Sequence, residues 1–438
     1  MYLGNEVENG TITARIIGYL GDGHVLTIGP TRSGKSRRLL IPNLLYETGR
    51  SMLIVDMKGE LAAITAPHRA TKADYVGALD PFGVLPARGV NVPGIGFNPM
   101  LRLDPASDEF VDDAMGLAEA LVQVKPGDQD PHWAESAQDL VAALIMLVRC
   151  VYGDNATLGL VREKISESPA DMEQLAKTAI EKSLHPGISN KLSKFTSISA
   201  DNKELASIMS NAQTQTRFLD SPGIVRNLEA EGIDFGILKS HNVTIYLVLP
   251  PERLATHAKW LRLIITSAMT AMQRTLKTQG RPDVLFMLDE FPQLGRMEAI
   301  ESAVSLNAGY GVKVWAAVQH LGQLKQHYGD NWETFLSAGC VTAFAPRDVF
   351  TRDHLTKLIG TGTKTVRSTS HSSDGGTNVS TSVQKDDLVS PHEWRQMIMG
   401  EQWAFIPTDK GQVIKKIYSQ DFSTLPEVKS GAIRPGAV

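Results

Sequence analysis

The sequence predicts an α/β protein with a mostly parallel central sheet that helices cover on both faces. Short apolar runs rich in β-branched residues recur along the chain and stop at polar, glycine or proline residues, which is typical of buried parallel strands. Most of these runs precede a loop and then a segment with helical periodicity. Apolar residues make up 42% and charged residues 21% of the 438 residues, as in ordinary soluble proteins.

The predicted strands extend over nearly the whole chain. We place them at residues 24–29, 51–56, 74–79, 243–249, 284–289, 312–318, 340–345 and 402–406. Residues 361–387 are polar and rich in serine and threonine, but 363–370 and 378–385 alternate around Asp374-Gly375-Gly376. That pattern favours a solvent-facing, flexible hairpin over a disordered segment.

Between residues 104 and 228 the pattern is helical, without a convincing strand. The predicted helices there are 108–123, 133–151, 169–183 and 203–219. We therefore expect an all-α domain (104–228) inserted into a discontinuous α/β domain formed by 1–103 and 229–438.

Composition excludes several classes of protein. No apolar stretch approaches the ~18 residues that a membrane-spanning helix needs, and no signal peptide opens the chain. Two cysteines, Cys150 and Cys340, are too few for a disulfide framework or a zinc cluster, which indicates a reducing compartment. A net charge of −4 provides no global attraction to nucleic acid or lipid, although a local basic lining remains possible.

The most specific motif follows the first predicted strand and matches G-x-x-x-x-G-K-[ST], the phosphate loop. Loop glycines let backbone N–H groups turn towards phosphates, and the following helix N-terminus favours negative charge. Lys35 would neutralise the β- and γ-phosphates of ATP, and the Ser36 hydroxyl would bind Mg²⁺. The alternative is an ordinary turn with an exposed lysine. The predicted nucleotide-binding residues of the loop are Gly29, Thr31, Arg32, Ser33, Gly34, Lys35 and Ser36.

A second motif is the strand 284–288 followed by Asp289 and Glu290. A buried strand that ends in two acids can hold the magnesium shell through Asp289 and polarise the attacking water through Glu290. A plain strand cap is the alternative.

Three further residues follow buried strands. Gln319 could bond both a γ-phosphate and a water, which makes it a candidate catalytic residue beside Lys35 and Glu290; a satisfied polar residue at a strand exit is the alternative. Asp56 and Lys58 would lie at the same sheet edge, where α/β proteins bind ligands. We expect them near the nucleotide.

These motifs, taken with others, resemble one family. Ile41-Pro42-Asn43, Lys58-Gly59-Glu60, Asp80-Pro81-Phe82, Asp289-Glu290-Phe291-Pro292, Gln319 with Gln323-Leu324, and Leu388-Val389-Ser390-Pro391 are similar to the type IV secretion coupling proteins. The similarity runs from about residue 18 to residue 420. It implies a RecA-like nucleotide-binding domain with an inserted all-α domain.

The resemblance also implies a function. Family members are ATPases that recruit DNA–relaxase complexes or protein effectors, with adaptors, and deliver them to secretion-channel proteins at the cytoplasmic face of the bacterial inner membrane. The family usually carries two N-terminal transmembrane helices, which this chain lacks. We expect a soluble chain, either an excised cytoplasmic part or a member that docks without its own anchor.

Two other functions fit the same motifs. One is a duplex-DNA translocase of the chromosome-segregation kind, and the other is a nucleotide-gated adaptor that does not hydrolyse ATP. Ring motors of this fold act as homo-hexamers in which a neighbour supplies a cation to the γ-phosphate, so the isolated chain should be mainly monomeric and slow. Candidates for that cation are Lys313, Arg347 and Arg352.

Overall fold

The computed structural model describes residues 1–124, 131–196, 203–230, 232–305, 309–371 and 377–436. Its strands form one large sheet and a separate hairpin. They are β1 (Tyr2–Glu8), β2 (Thr11–Gly18), β3 (His24–Ile28), β4 (Met52–Asp56), β5 (Tyr75–Leu79), β6 (Val243–Val248), β7 (Val284–Leu288), β8 (Val312–Val318), β9 (Gly339–Phe344), β10 (Thr361–His371), β11 (Thr377–Asp387), β12 (Glu401–Thr408) and β13 (Gly411–Tyr418).

Helices cover both faces of the large sheet. They are α1 (Ile41–Tyr46), α2 (Glu60–Arg69), α3 (Val84–Ala87), α4 (Phe110–Leu121), α5 (His132–Tyr152), α6 (Leu158–Ile165), α7 (Pro169–Glu181), α8 (Pro186–Thr196), α9 (Lys203–Thr216), α10 (Pro222–Glu229), α11 (Pro251–Arg274), α12 (Glu298–Ser305), α13 (Leu321–Tyr328), α14 (Thr334–Ser337), α15 (Val349–Ile359), α16 (Pro391–Gln396) and α17 (Pro426–Lys429).

The large sheet has the order β2-β1-β13-β12-β9-β3-β8-β7-β4-β6-β5. From β9 to β5 all neighbours are parallel, which confirms the predicted α/β class with a mostly parallel sheet. β12 is different, because it pairs antiparallel with both β9 and β13. The prediction that residues 402–406 form a parallel strand was therefore wrong. A short apolar run shows that a strand is buried, but it does not show whether that strand is parallel or antiparallel to its neighbours.

Strands β1, β2 and β13 were not predicted. β2 is the edge strand, and most of its side chains face water, including Ile12 and Ile16. Its sequence therefore lacks the apolar run of a buried strand and the apolar–polar alternation of a half-buried one. β1 pairs with β13 from the other end of the chain and with β2 across the turn Asn9-Gly10, a local hairpin signal that the prediction did not use.

The helical segment leaves the sheet after β5 and returns at β6, and these two strands are neighbours. Within the described residues between them, the regular structure consists of helices, as expected. Prediction missed α6, α8 and α10, which have only 8 to 11 residues and depend on packing for stability. One apolar core runs from the sheet face through α4, α5 and α9. The proposed division at residues 104 and 228 thus crosses a continuous core.

The segment 361–387 forms the expected hairpin. β10 and β11 pair antiparallel over their whole length, from Thr361 opposite Asp387 to His371 opposite Thr377. The predicted turn, Asp374-Gly375-Gly376, lies outside the described residues. No helix in the described part of the chain is both long and apolar enough to cross a membrane.

Candidate nucleotide site

Three adjacent strands place the predicted site residues together. β3, β8 and β7 are parallel neighbours, so their carboxyl ends meet at one edge of the sheet. The loop 29–36 follows β3, Asp289 and Glu290 follow β7, and Gln319 follows β8. This edge is where open α/β sheets bind ligands.

The phosphate loop is held at both ends by backbone hydrogen bonds. Gly29 N–H donates to the Val318 carbonyl at 2.9 Å, and Arg38 N–H donates to the Gly34 carbonyl at 2.9 Å. Arg32 and Gly34 have positive φ values of 64° and 91°, so the chain turns sharply before the helix. Helical structure begins at Ser36 and continues into α1. The loop therefore has the strand–turn–helix context that phosphate binding requires.

Lys35 and Glu290 form an ion pair, with Nζ and Oε1 2.8 Å apart. Gln319 Nε2 donates to the second carboxylate oxygen, Oε2, at 3.0 Å. The Thr31 hydroxyl in turn donates to Gln319 Oε1 at 3.3 Å. The sequence predicted that these residues lie near one another, but it did not predict these contacts. In the structure the Glu290 carboxylate is bound to the Lys35 ammonium, which is the group expected to bind phosphate.

The backbone at Glu290 is unusual for a residue with a side chain. Its φ and ψ are 52° and 39°, in the left-handed region, and the adjacent Asp289 carboxylate accepts its N–H at 3.0 Å. Such a conformation costs about 1–3 kcal/mol and is concentrated at functional sites. An ordinary strand cap would not need it.

The acids of the site differ in their electrostatics. Burial raises the pKa of Asp289 to about 6, and Lys35 only partly counters this effect. Burial also raises the pKa of Glu290, but Lys35 and Gln319 outweigh it, so the pKa of Glu290 lies below its usual value. Glu290 is therefore ionised at neutral pH, as a water-activating carboxylate must be.

Asp56 and Lys58 have different positions at this edge. Asp56 is buried and accepts the N–H groups of Ala62 at 2.8 Å and Lys58 at 3.3 Å, so it closes the turn into α2. Burial raises its pKa to about 6. Lys58 is exposed, and its charge lowers the pKa of both Asp289 and Glu290. Lys58 thus borders the site, whereas the observed contacts of Asp56 are those of a turn cap.

Gln323 is a site residue whose role the sequence did not indicate. Its Oε1 accepts the N–H groups of Gln319 at 2.9 Å and of His320 at 3.4 Å, and it forms a capping box at the start of α13. This contact fixes the backbone that carries Gln319. The four-residue spacing of the two glutamines was visible in the sequence and could have suggested it.

Two of the three candidates for a neighbour-directed cation are wrong. Lys313 is buried near the opposite edge of the sheet, where its ammonium contacts the Gly21 carbonyl and the Tyr19 ring. Arg352 is also buried, whereas a cation that reaches a neighbouring chain must be exposed. Arg347 is exposed and follows β9 at the nucleotide edge. It remains the candidate.

The residues present fit a Mg²⁺ ion that is shared with a nucleotide. Within the described ranges, no group of three or more His, Cys, Asp or Glu side chains could hold a metal. Protein sites for Mg²⁺ often use one or two carboxylates plus substrate phosphates. Asp289, whose pKa is raised by burial and by Glu290, would gain from a cation, and the Ser36 hydroxyl is the other predicted ligand.

Comparisons with known proteins agree with this reading. A family model, "Type IV secretory system Conjugative DNA transfer", matches residues 4–431. The chain is 30% identical to VirD4 of Agrobacterium fabrum over 403 residues, 86% of the chain and 56% of that protein. It is 28% identical to the conjugal transfer protein TraG of Escherichia coli over 366 residues, 78% of the chain and 56% of that protein. The chain thus spans little more than half the length of these relatives.

Solved structures support the fold. The plasmid coupling protein TrwB in complex with a non-hydrolysable ATP analogue has a TM-score of 0.68 and 15% identity, covering 95% of this chain and 94% of that one. TrwB in complex with ADP and Mg²⁺ has a TM-score of 0.67 and 15% identity, covering 91% and 85%. At such identities the likeness concerns the fold.

Proposed function

Because the chain belongs to the type IV secretory system conjugative DNA transfer family, we propose that it is the ATPase part of a coupling protein. It recruits a DNA–relaxase complex or protein effectors and delivers them to the secretion channel at the cytoplasmic face of the inner membrane. The observation that carries this proposal is the convergence of Lys35, Asp289, Glu290 and Gln319 at the ends of three adjacent strands.

In this proposal the triphosphate of ATP binds along residues 29–36. Lys35 exchanges the Glu290 carboxylate for phosphate oxygens, so nucleotide binding frees Glu290. Ser36 and Asp289 would hold Mg²⁺, which neutralises charge on the phosphates when bound. Glu290 then accepts a proton from the attacking water, and Gln319 orients that water or senses the γ-phosphate.

The contact network also supports a link between hydrolysis and motion. Gln319 contacts Glu290 on one side, and its backbone is held by Gln323 in α13. When Lys35 releases Glu290, the carboxylate that Gln319 contacts becomes free to move, and the backbone of Gln319 is joined to α13 through Gln323. We propose that α13 passes the nucleotide state to the rest of the chain.

The domains would divide the work. Residues 1–103 and 229–438 would form the motor, and 104–228 would recruit substrate. Active chains would assemble as a homo-hexamer in which Arg347 of one chain approaches the nucleotide of the next. TrwB, whose fold this chain shares, is described as a coupling protein.

The test is phosphate release with Mg²⁺ and ATP, measured for the wild type, Lys35→Ala and Glu290→Gln. A motor loses turnover in both variants. A non-hydrolysing adaptor shows no Mg²⁺-dependent turnover in the wild type, although it still binds nucleotide. DNA-stimulated turnover without relaxase or channel proteins would instead favour the duplex translocase.

A further inference from the structure

One buried arginine contacts the turn that follows Glu290. Arg262 belongs to α11 and is only 8% exposed. In the part of the chain that the structure describes, no carboxylate forms an ion pair with it, and Glu298 acts on its charge only from a longer distance. Burial lowers the pKa of Arg262 to about 10, so the guanidinium stays charged at neutral pH. A buried charge without an ion pair depends on its hydrogen bonds for stability.

Two of these hydrogen bonds go to backbone carbonyls of the turn. Arg262 Nη1 donates to the Leu294 carbonyl at 2.9 Å and to the Arg296 carbonyl at 2.6 Å. Gly295, which lies between these residues, has a φ of 71° and a ψ of −161°. That conformation is essentially confined to glycine. The backbone at Gly295 thus lets two carbonyls reach one guanidinium nitrogen.

A short rigid segment joins those carbonyls to Glu290. Phe291–Leu294 is a single 3₁₀ turn that begins directly after Glu290, and Gln293 N–H donates to the Glu290 carbonyl at 2.9 Å. A residue with a side chain stays in the left-handed conformation only where the surrounding structure holds it there. Arg262 holds the far end of the turn and therefore restrains the backbone of Glu290.

The same guanidinium also contacts the helical segment between β5 and β6. The Gln123 amide lies against it, and with its oxygen turned towards Arg262 it accepts a hydrogen bond from Nη1 at 2.7 Å and another from Nη2. Gln123 is itself fixed to α9, because its N–H donates to Gln215 Oε1 at 2.9 Å and its carbonyl accepts from Gln215 Nε2 at 3.0 Å. Arg262 therefore joins the helical segment to the turn after Glu290.

We propose that Arg262 is a positioning residue for hydrolysis, which keeps the Glu290 carboxylate in place and ties that place to the helical segment through Gln123. The inference rests on the proposed function, in which Glu290 accepts a proton from the attacking water. A general base must lie within hydrogen-bond reach of that proton. A displacement of about 1 Å can cost about a hundredfold in rate.

The test is single-turnover phosphate release from ATP with Mg²⁺, measured with the full chain as wild type and as Arg262→Met. Methionine fills much of the space of the arginine stem but cannot donate to the carbonyls. The rate should fall by about tenfold to a hundredfold. Binding of a non-hydrolysable ATP analogue should not weaken, because Lys35 and the phosphate loop are unchanged. A general loss of structure would weaken binding as well.

Two further variants test whether the effect acts through Glu290. In a Glu290→Gln background, Arg262→Met should change the remaining rate little, whereas an independent effect would lower it by the same factor again. Arg262→Lys keeps a charged donor near the carbonyls and should recover part of the lost rate.

A matched control lies on the same helix. Arg274 of α11 pairs with Asp113 of α4, so Arg274→Met breaks another contact between α11 and the helical segment and should leave the rate unchanged. Gln123→Met removes the acceptor in the helical segment but leaves Arg262 and its carbonyl partners. It should lower the rate by a smaller factor than Arg262→Met, and it tests the proposal even if Arg262→Met does not fold. Thermal melting verifies folding of each variant.

The outcomes distinguish this inference from the proposed function. A normal rate in folded Arg262→Met, nucleotide binding that weakens in parallel with the rate, or an additive loss with Glu290→Gln would overturn the positioning role while the ATPase stands. A normal rate in folded Gln123→Met would overturn the link to the helical segment. If the folded wild type releases no phosphate, the proposed function fails, and this inference fails with it.

Discussion

Replacing Glu290 by glutamine should make nucleotide binding tighter while hydrolysis is lost. In the structure the Glu290 carboxylate lies 2.8 Å from the Lys35 ammonium, at the place where we expect phosphate oxygens to bind. The two groups must separate before the nucleotide can bind. Glu290→Gln keeps the side-chain shape and removes the competing charge.

The size of the effect follows from the geometry of the pair. At 2.8 Å with an effective dielectric constant of about 20, the Coulomb attraction is about 6 kcal/mol. Dehydration offsets most of this, because the Lys35 side chain is only 7% exposed and that of Glu290 is 26% exposed. A net value of about 1–2 kcal/mol lies between those of exposed and buried pairs. The dissociation constant should therefore fall by about 5- to 30-fold.

Hydrolysis should change in the opposite direction. Loss of a general base costs about 10²–10⁴ in rate. Anisotropy of a fluorescent ATP analogue measures binding, and phosphate release measures turnover. Glu301→Gln is the control, since it neutralises a carboxylate paired with Arg296 outside this site. Unchanged or weaker binding by Glu290→Gln would refute competition for Lys35, and normal turnover would refute its role as the base.

The remaining predictions concern other parts of the site and the assembly. Lys35→Ala should abolish nucleotide binding in titration calorimetry, and retained binding would contradict the assignment of the loop. The same variant should lower the free energy of unfolding by only about 1 kcal/mol, because the Glu290 side chain keeps partial contact with water. Asp289 has a folded-state pKa of about 6, above its value of 3.8 in the unfolded chain, so its ionisation weakens folding as pH rises through that interval. Asp289→Asn should therefore raise the stability of the nucleotide-free protein by about 1–2 kcal/mol at pH 7 and not at pH 3.5 in urea melts, and an equal gain at both pH values would contradict this. Gln319→Leu should slow turnover by more than tenfold with little change in affinity for ATP, and normal turnover would assign Gln319 to the strand exit alone. Turnover per chain should rise over a hundredfold range of protein concentration, more so with an oligonucleotide at low salt, and Arg347→Ala should remove that rise; a flat, fast rate would mean that one chain holds the complete site.

Sequence reasoning predicted the centre of this molecule better than its periphery. Strands β3, β4 and β7 are buried on both faces, so continuous apolar runs in the sequence predict them. β2 is an exposed edge strand that pairs with β1, and β13 pairs with β1 from the other end of the chain, so their places in the sheet depend on their partners and not on an apolar run of their own. The same reason explains the misassigned direction of β12, which depends on which neighbour it meets.

The site followed a similar rule. Motif spacing and strand ends predicted that Lys35, Asp289, Glu290 and Gln319 would lie near one another, because parallel strands bring their carboxyl ends to one edge. The contact between Lys35 and Glu290 was not predictable, since it depends on the left-handed backbone at Glu290. The burial of Arg352 depends on packing among α15, α16 and the loop after β9, which no local pattern encodes.

The pairing of β1 with β13 has a consequence for biosynthesis. Asn5 lies opposite Tyr418, so β1 leaves the ribosome about 400 residues before its partner strand β13. At roughly 5–20 residues per second, that delay is about 20–80 s. Leu3 is fully buried in the folded protein. During this interval its side chain lacks the contacts that depend on β13. We therefore expect the hairpin of β1 and β2 to need protection by chaperones until β13 has been made, and this part of the sheet to close only after that.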